Sequence, residues 1–271
     1  MRPVLSITLA VFLLGSNSCS RPEPGNDGHI ILGIFGGMGP EATADLYRDI
    51  IAITPAEKDQ DHIPTLIYSL PQVPDRMASI RTNDGRITPY LVEGVTRLEQ
   101  SGASFIAIPC NTVHYFYEEM QQAVSIPIIH MIKATSLEVA RVYPQVRKVG
   151  LLATTGTIES KLYEGVLEKM GFEVIVPDDS IEHHKVMKAV EGIKAKTDPQ
   201  LNEDLLFEAA EHLVNKGAEL LVLGCTEIPL AFNPRRTEVP VVNATRVLAE
   251  TAVRMYDSLS AHSRSFRSGP N

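Results

Sequence analysis

At 271 residues and 44% hydrophobic content, the chain is long enough for two modest globular lobes and too apolar for disorder. A formal net charge of −8, a pI of about 5.5 and the lack of any dense Lys/Arg run argue against a nucleic-acid partner; with no Trp there is no stacking platform either. Arg2 precedes an apolar run over 4–14 that is too short to span a bilayer as a helix but suits the core of an export signal, with small residues Ser16 and Ser18 near a cleavage point. Cys19-Ser20 adds a likeness to a bacterial lipoprotein signal, with Cys19 as lipid acceptor, although Ser16 stands where Leu is usual. Residues 20–27 form a polar tether with two prolines. The expectation is an exported, periplasmic protein, attached to a membrane only if Cys19 is lipidated, with residues 1–28 outside the fold.

Residues 29–35 read as the first strand, 36–40 as a tight glycine turn, and 41–53, with Leu46, Ile50 and Ile53 at helical spacing, as a helix opened by Pro40. A strand, a glycine loop and a helix N-terminus make a cradle of backbone N–H groups for an anion. A substrate carboxylate near Gly37 and Met38 fits this cradle better than a nucleotide. The G-x-G-x-x-A match at 37–42 is weak alone, and no Gly-Lys-Ser/Thr follows it. A strand over 65–70 leads into a loop whose Pro71 and Pro74 hold Arg76, a side chain suited to carboxylate recognition. A helix over 86–101 stops at Gly102. The third strand then delivers Cys110, and a helix over 112–124 takes Asn111 or Thr112 as its cap.

A strand over 126–132, a helix over 134–142 and a strand over 148–153 follow, the last running into Thr154-Thr155-Gly156-Thr157 and a helix to Met170. Next come a strand over 172–176, helices over 181–194 and 198–216, a strand ending at Cys225, a strand over 239–242 and a helix over 245–259. The end after Ser260 reads as frayed. Strands alternate with helices throughout, so the fold class is α/β with parallel sheets. The chain also echoes itself. Gly102-Ala103 and Gly217-Ala218 each open a buried-strand pattern that ends in a cysteine. Gly33 to Cys110 spans 77 positions and Gly150 to Cys225 spans 75. This favours two pseudo-symmetric lobes over a closed eight-stranded barrel. Ligands of such sheets bind beyond the carboxyl ends of strands, which is where Cys110 and Cys225 lie. The working hypothesis is two thiols facing each other across a small-molecule cleft; the plainer alternative for an exported protein is a disulfide between them.

Two opposed thiols are suited to inverting a carbon that carries one acidic hydrogen. One face needs a base and the other an acid, and the roles exchange in reverse. With a free-thiol pKa of about 8.5, a thiolate and a thiol can coexist near neutral pH and titrate as a coupled pair. Acid–base groups contribute ~10²–10⁴-fold each, so donors beside the substrate carboxylate must add more. Asn111, Thr112 and Thr226 are the obvious donors, with Gly37, Met38, Thr155 and Gly156 further ones. His114, one helical turn after Cys110, reads mainly as a packing histidine. Cys110, His114 and Cys225 lack the tight ligand spacing of a zinc site, so no metal is expected. Glu227 orients Cys225 or pairs with an arginine. Lys194 by itself looks like a surface lysine.

These residues carry a resemblance. Gly36-Gly37-Met38-Gly39-Pro40-Glu41-Ala42-Thr43, Pro74-Asp75-Arg76, Pro109-Cys110-Asn111-Thr112, Gly150-Leu151-Leu152-Ala153-Thr154, Glu191-Gly192-Ile193-Lys194 and Gly224-Cys225-Thr226-Glu227 resemble the aspartate/glutamate racemase family, in particular its aspartate racemase branch. The resemblance spans the body from Gly33 to about Tyr256. It implies a racemase of acidic amino acids that uses no cofactor, built as a homodimer of chains with two pseudo-symmetric α/β domains, 29–130 plus 240–260 and 131–239, followed by a frayed tail over 261–271. It makes Cys110 and Cys225 the proton donor/acceptor pair, gives Arg76 and Lys194 to substrate carboxylates, and puts Asn111 and Thr112 in the site lining. Two departures stand out: Asn243 occupies a position where the family leads one to expect Asp, and the export signal is unexpected. Two other functions remain open: a related isomerisation or decarboxylation in which a cysteine is a nucleophile, and an exported, non-catalytic binding protein for acidic solutes.

Overall fold

The computed structural model describes residues 29–267, so the export signal, Cys19 and the tether lie outside the described residues. The first lobe lays down β1 (Leu32–Gly36), α1 (Pro40–Ile53), β2 (Thr65–Ser69), α2 (Arg76–Thr82), α3 (Thr88–Gln100), β3 (Phe105–Ala107) and α4 (Tyr117–Gln122). After α5 (Met131–Val142) the second lobe follows with β4 (Lys148–Leu152), α6 (Thr155–Glu159), α7 (Glu164–Leu167) and β5 (Glu173–Ile175). A helical turn α8 (Asp179–Ile181) runs through the π-helical stretch Glu182–Met187 into α9 (Lys188–Ala195). Then come α10 (Pro199–Asn215), β6 (Leu220–Leu223), β7 (Val241–Asn243) and the long α11 (Ala244–Arg267).

The strands form two parallel sheets, ordered β2-β1-β3 and β5-β4-β6-β7. The central strands β1 and β6 and the core of β4 are buried on both faces, which is why they read as unbroken apolar runs. The repeated Gly-Ala has a structural cause. Gly102 and Gly217 sit at φ +95° and +97°, the left-handed conformation that ends α3 and α10. The alanine after each donates its N–H back to Leu98 or Leu213 at 3.0 Å. That alanine then seats against a glycine of the central strand: a Cβ built on Gly33 would lie 3.0 Å from that of Ala103, and one on Gly150 would lie 2.9 Å from that of Ala218. Helix, turn and central strand are thus locked by the same small-residue contact in each lobe, and both sheets present their carboxyl ends to the same cleft.

Three expectations change. The strand expected over 126–132 shrinks to a bridge between Ile106 and Ile128, since Pro127 has no N–H to give a ladder and α5 already begins at Met131. Residues 240–243, assigned with the first domain, instead pair with β6 in the second sheet. α11, however, packs with α1 in the core of the first lobe through Leu248, Ala249, Ala252 and Val253, while its Val247 joins the second-lobe core. It also runs on through part of the stretch expected to fray, to Arg267, because neither Gly nor Pro interrupts it before Gly269. α5 lies between the lobes: Met131 joins the first-lobe core and Ile132 and Val139 the second.

Candidate active site

The cleft holds a cavity of about 210 Å³, and both Cys110 and Cys225 line it. They are free thiols, 5% and 6% exposed, so the disulfide alternative is not realised. Each stands just past its strand, Cys110 after β3 and Cys225 after β6, at equivalent places in the two lobes.

Arg76 opens α2 rather than sitting in a rigid loop. Asp75 caps the helix by accepting the Ala78 N–H at 2.8 Å. The Arg76 guanidinium is steadied by the carbonyls of Val73 and Pro74 at 3.4 and 3.3 Å, and the residue faces the cavity. Lys194, in the last turn of α9, reaches it from the second lobe, its side chain 45% exposed and its ammonium 3.8 Å from Glu227. Met38, Asn111 and Thr112 line the first-lobe wall, and Gly156 and Thr226 the second.

Two expected donors are not there. Gly37 lies in an adjoining chamber of about 390 Å³, and its N–H is spent on the Thr43 hydroxyl at 2.9 Å. Its φ of +99° also brings its Cα against the Leu70 and Pro71 backbone, where a Cβ would clash at 2.5 Å. The glycine loop is therefore a packing device more than an anion cradle. Thr155 turns away too, donating its hydroxyl to the buried Glu182 at 2.6 Å.

The lobes are joined beside the cavity by hydroxyls. Thr112 lies 3.1 Å from Thr154 and 2.8 Å from Thr157. Gly156 is small for a reason: a Cβ there would meet the Thr112 methyl at 3.0 Å. His114 is wholly engaged by backbone. The Met131 N–H donates to Nε2 at 3.1 Å, so Nδ1 carries the proton and donates to the Cys110 carbonyl at 2.8 Å. The ring thereby ties the Cys110 loop to the start of α5, the packing role its position implied. Glu227 resolves likewise: it accepts the Cys225 thiol at 3.1 Å and pairs with Lys194 rather than an arginine.

The two sulfurs differ electrostatically. Burial pushes the Cys110 thiol up, and the Arg76 cation pulls it partly back. Burial also pushes the Cys225 thiol well up, and there the adjacent Glu227 carboxylate adds to the shift. A cation beside Cys110 and a carboxylate beside Cys225 thus favour the thiolate at Cys110.

Sequence reasoning missed Tyr163, which is fully buried and donates its hydroxyl to Asn111 Oδ1 at 2.7 Å across 52 positions of chain. It belongs to no motif, and nothing local in the sequence marks it. Met77 and Met187, further cavity residues, were equally silent.

Comparison with known proteins gives a consistent result. The family model described as Asp/Glu/Hydantoin racemase matches residues 35–252. The broad specificity amino-acid racemase RacX of Bacillus subtilis (strain 168) is 29% identical over 230 residues, covering 83% of this chain and 98% of RacX. The structure of the Picrophilus torridus aspartate racemase aligns with a TM-score of 0.75 at 28% identity, covering 84% of this chain and 94% of that one. A glutamate racemase from Bacillus anthracis, at 20% identity and a TM-score of 0.63 over 85% of this chain and 82% of its own, shares the fold.

Proposed function

We propose, from the premise that this chain belongs to the Asp/Glu/hydantoin racemase family, that it racemises aspartate by proton transfer between Cys110, Cys225 and the α-carbon. The observation that carries the reading is that two free thiols from equivalent positions of the two lobes line one cavity. In this reading the thiolate of Cys110 removes the Cα proton from one face. The electron pair left on Cα is delocalised into the adjacent carboxylate, and the Cys225 thiol returns a proton to the opposite face. The reverse direction exchanges the two roles. Arg76, whose cation eases ionisation of Cys110, supports Cys110 as the resting base; Glu227, which holds the Cys225 proton, supports Cys225 as the resting acid.

Arg76 and Lys194 supply cations on opposite walls for the two carboxylates of aspartate. Thr112 and Thr226 are the hydrogen-bond donors for charge that builds up on the α-carboxylate, and Asn111 is a donor that holds the substrate in the ground and transition states alike. The similarity to an aspartate racemase structure supports a short acidic side chain. A second reading, acceptance of longer side chains, is favoured by the adjoining chamber, which shares Met38, Arg76, Lys194 and Glu227 with the cavity, and by the similarity to a broad-specificity racemase. The test follows the circular dichroism of L-aspartate, L-glutamate and L-alanine in turn with the same enzyme. Decay of the signal with the highest kcat/KM on aspartate is the expected outcome. A comparable kcat/KM on glutamate and alanine moves the assignment to the broader reading, and no decay for any amino acid overturns both.

A further inference from the structure

We propose that Tyr163 is a positioning residue for this reaction: its hydroxyl fixes the Asn111 side-chain amide so that the amide N–H₂ points at the substrate between the two thiols. The inference rests on the racemase reading and goes beyond it to a residue that is not among those lining the cavity.

Asn111 carries an unpaired donor. The residue is 2% exposed and lines the cavity with both cysteines, yet its Nδ2 has no hydrogen-bond partner among the described residues. Buried amide donors left unpaired are uncommon, and this one belongs to a residue that lines the cavity. An asparagine amide rotated by half a turn would offer its oxygen instead, which a carboxylate would repel. Its orientation therefore has to be set from behind, and Tyr163 does so. Its O–H donates to Asn111 Oδ1 at 2.7 Å, which leaves Nδ2 as the donor without a partner.

Tyr163 is itself held rigidly. It is 0% exposed within the second-lobe core, beside Leu151, Ala153 and Leu167. Its ring lies against Gly224, where an added Cβ would fall 3.1 Å from Cε2. Gly224 directly precedes Cys225, and Asn111 directly follows Cys110. One aromatic side chain thus spans from the backbone of one cysteine loop to the side chain beside the other cysteine.

The test is a double-mutant cycle on aspartate racemisation. Tyr163→Phe keeps the ring and removes only the hydroxyl. An amide contact made equally in the ground and transition states appears in KM, so the variant is expected to raise KM by ~10-fold, with kcat within ~3-fold of wild type. Asn111→Ala is expected to raise KM at least as much. In the Asn111→Ala background, Tyr163→Phe is expected to add less than ~2-fold, because the group it orients is gone. Asn111→Asp, which keeps an oxygen for Tyr163 but replaces the amide N–H₂ by oxygen, should raise KM. This variant probes the amide independently should Tyr163→Phe fold poorly, and an unchanged KM in Asn111→Asp counts against the inference. A Tyr163→Phe effect that is equally large in both backgrounds, or confined to melting temperature with KM unchanged, overturns the inference and leaves the racemase reading standing. A wild-type protein that racemises no amino acid defeats the reading beneath it instead.

Discussion

Cys110→Ser and Cys225→Ser are each expected to lower the racemisation rate by ~10²–10⁴-fold, the usual contribution of a positioned acid–base group. Serine keeps the shape of cysteine but is a far weaker acid, so it neither supplies the base nor readily gives up the proton. Both residues contribute to apolar cores, Cys110 in the first lobe and Cys225 in the second, and a near-isosteric change leaves those cores filled. The loss should therefore fall on kcat. Aspartate binding, which depends on Arg76, Lys194 and the donors around them, is expected to stay within a few-fold of wild type by calorimetry. The opposite pattern, in which kcat holds and binding weakens, would make the cysteines lining residues and remove the acid–base pair from the account. The electrostatic asymmetry refines this expectation. Cys225→Ser retains the more easily ionised sulfur, so it should still exchange the Cα hydrogen of one enantiomer with solvent without inverting it.

Arg76→Ala is expected to lower kcat/KM for aspartate by ~10–10²-fold, the cost of losing hydrogen bonds to a charged group. It should also move the pH profile, since Arg76 serves a second purpose. Burial raises the Cys110 thiol and Arg76 is the main cation that lowers it again, so removal of the guanidinium raises it further. The base is active as thiolate, and below its pKa the thiolate fraction grows about tenfold per pH unit. The wild-type rate should therefore rise with pH from neutrality upward, and the same limb in Arg76→Ala should be displaced to higher pH. Arg76→Lys restores the charge without the planar fork. It is expected to recover much of the pH displacement and less of the KM. A pH profile identical in wild type and Arg76→Ala would mean that the guanidinium does not act on the base.

Much of this arrangement could be read from the chain because it rests on local rules. The Gly-Ala echo, the buried strand runs and the two cysteines at strand ends are short-range patterns, and they led to two parallel-sheet lobes sharing one cleft. Arg76 could be picked out because Pro71, Pro74 and Asp75 constrain its approach, although the helix it opens was not anticipated. What escaped depends on contacts between distant parts of the chain. Gly37 and Thr155 looked like donors because they sit in glycine and threonine loops, but Thr43 and Glu182 claim them. Lys194 by itself reads as a surface lysine and is singled out only through the Glu191-Gly192-Ile193-Lys194 resemblance; the end of α9 brings it to the cavity beside Glu227. Tyr163 acts through a residue 52 positions away, a pairing that no window of sequence contains. Asn243, the expected departure, is a helix cap: its Oδ1 accepts the Thr245 N–H at 2.9 Å, so amide for carboxylate preserves the start of α11.

The central claim is that different groups serve the two faces of one α-carbon, and deuterium labelling reads this directly. With unlabelled L-aspartate in D₂O and sampling early in the reaction, the account predicts D-aspartate carrying deuterium at Cα while the remaining L-aspartate stays protonated, because the sulfur that removes the proton is not the one that delivers the deuteron. Deuterium entering unreacted L-aspartate as fast as it enters the product, or D-aspartate forming with its original hydrogen, would contradict it.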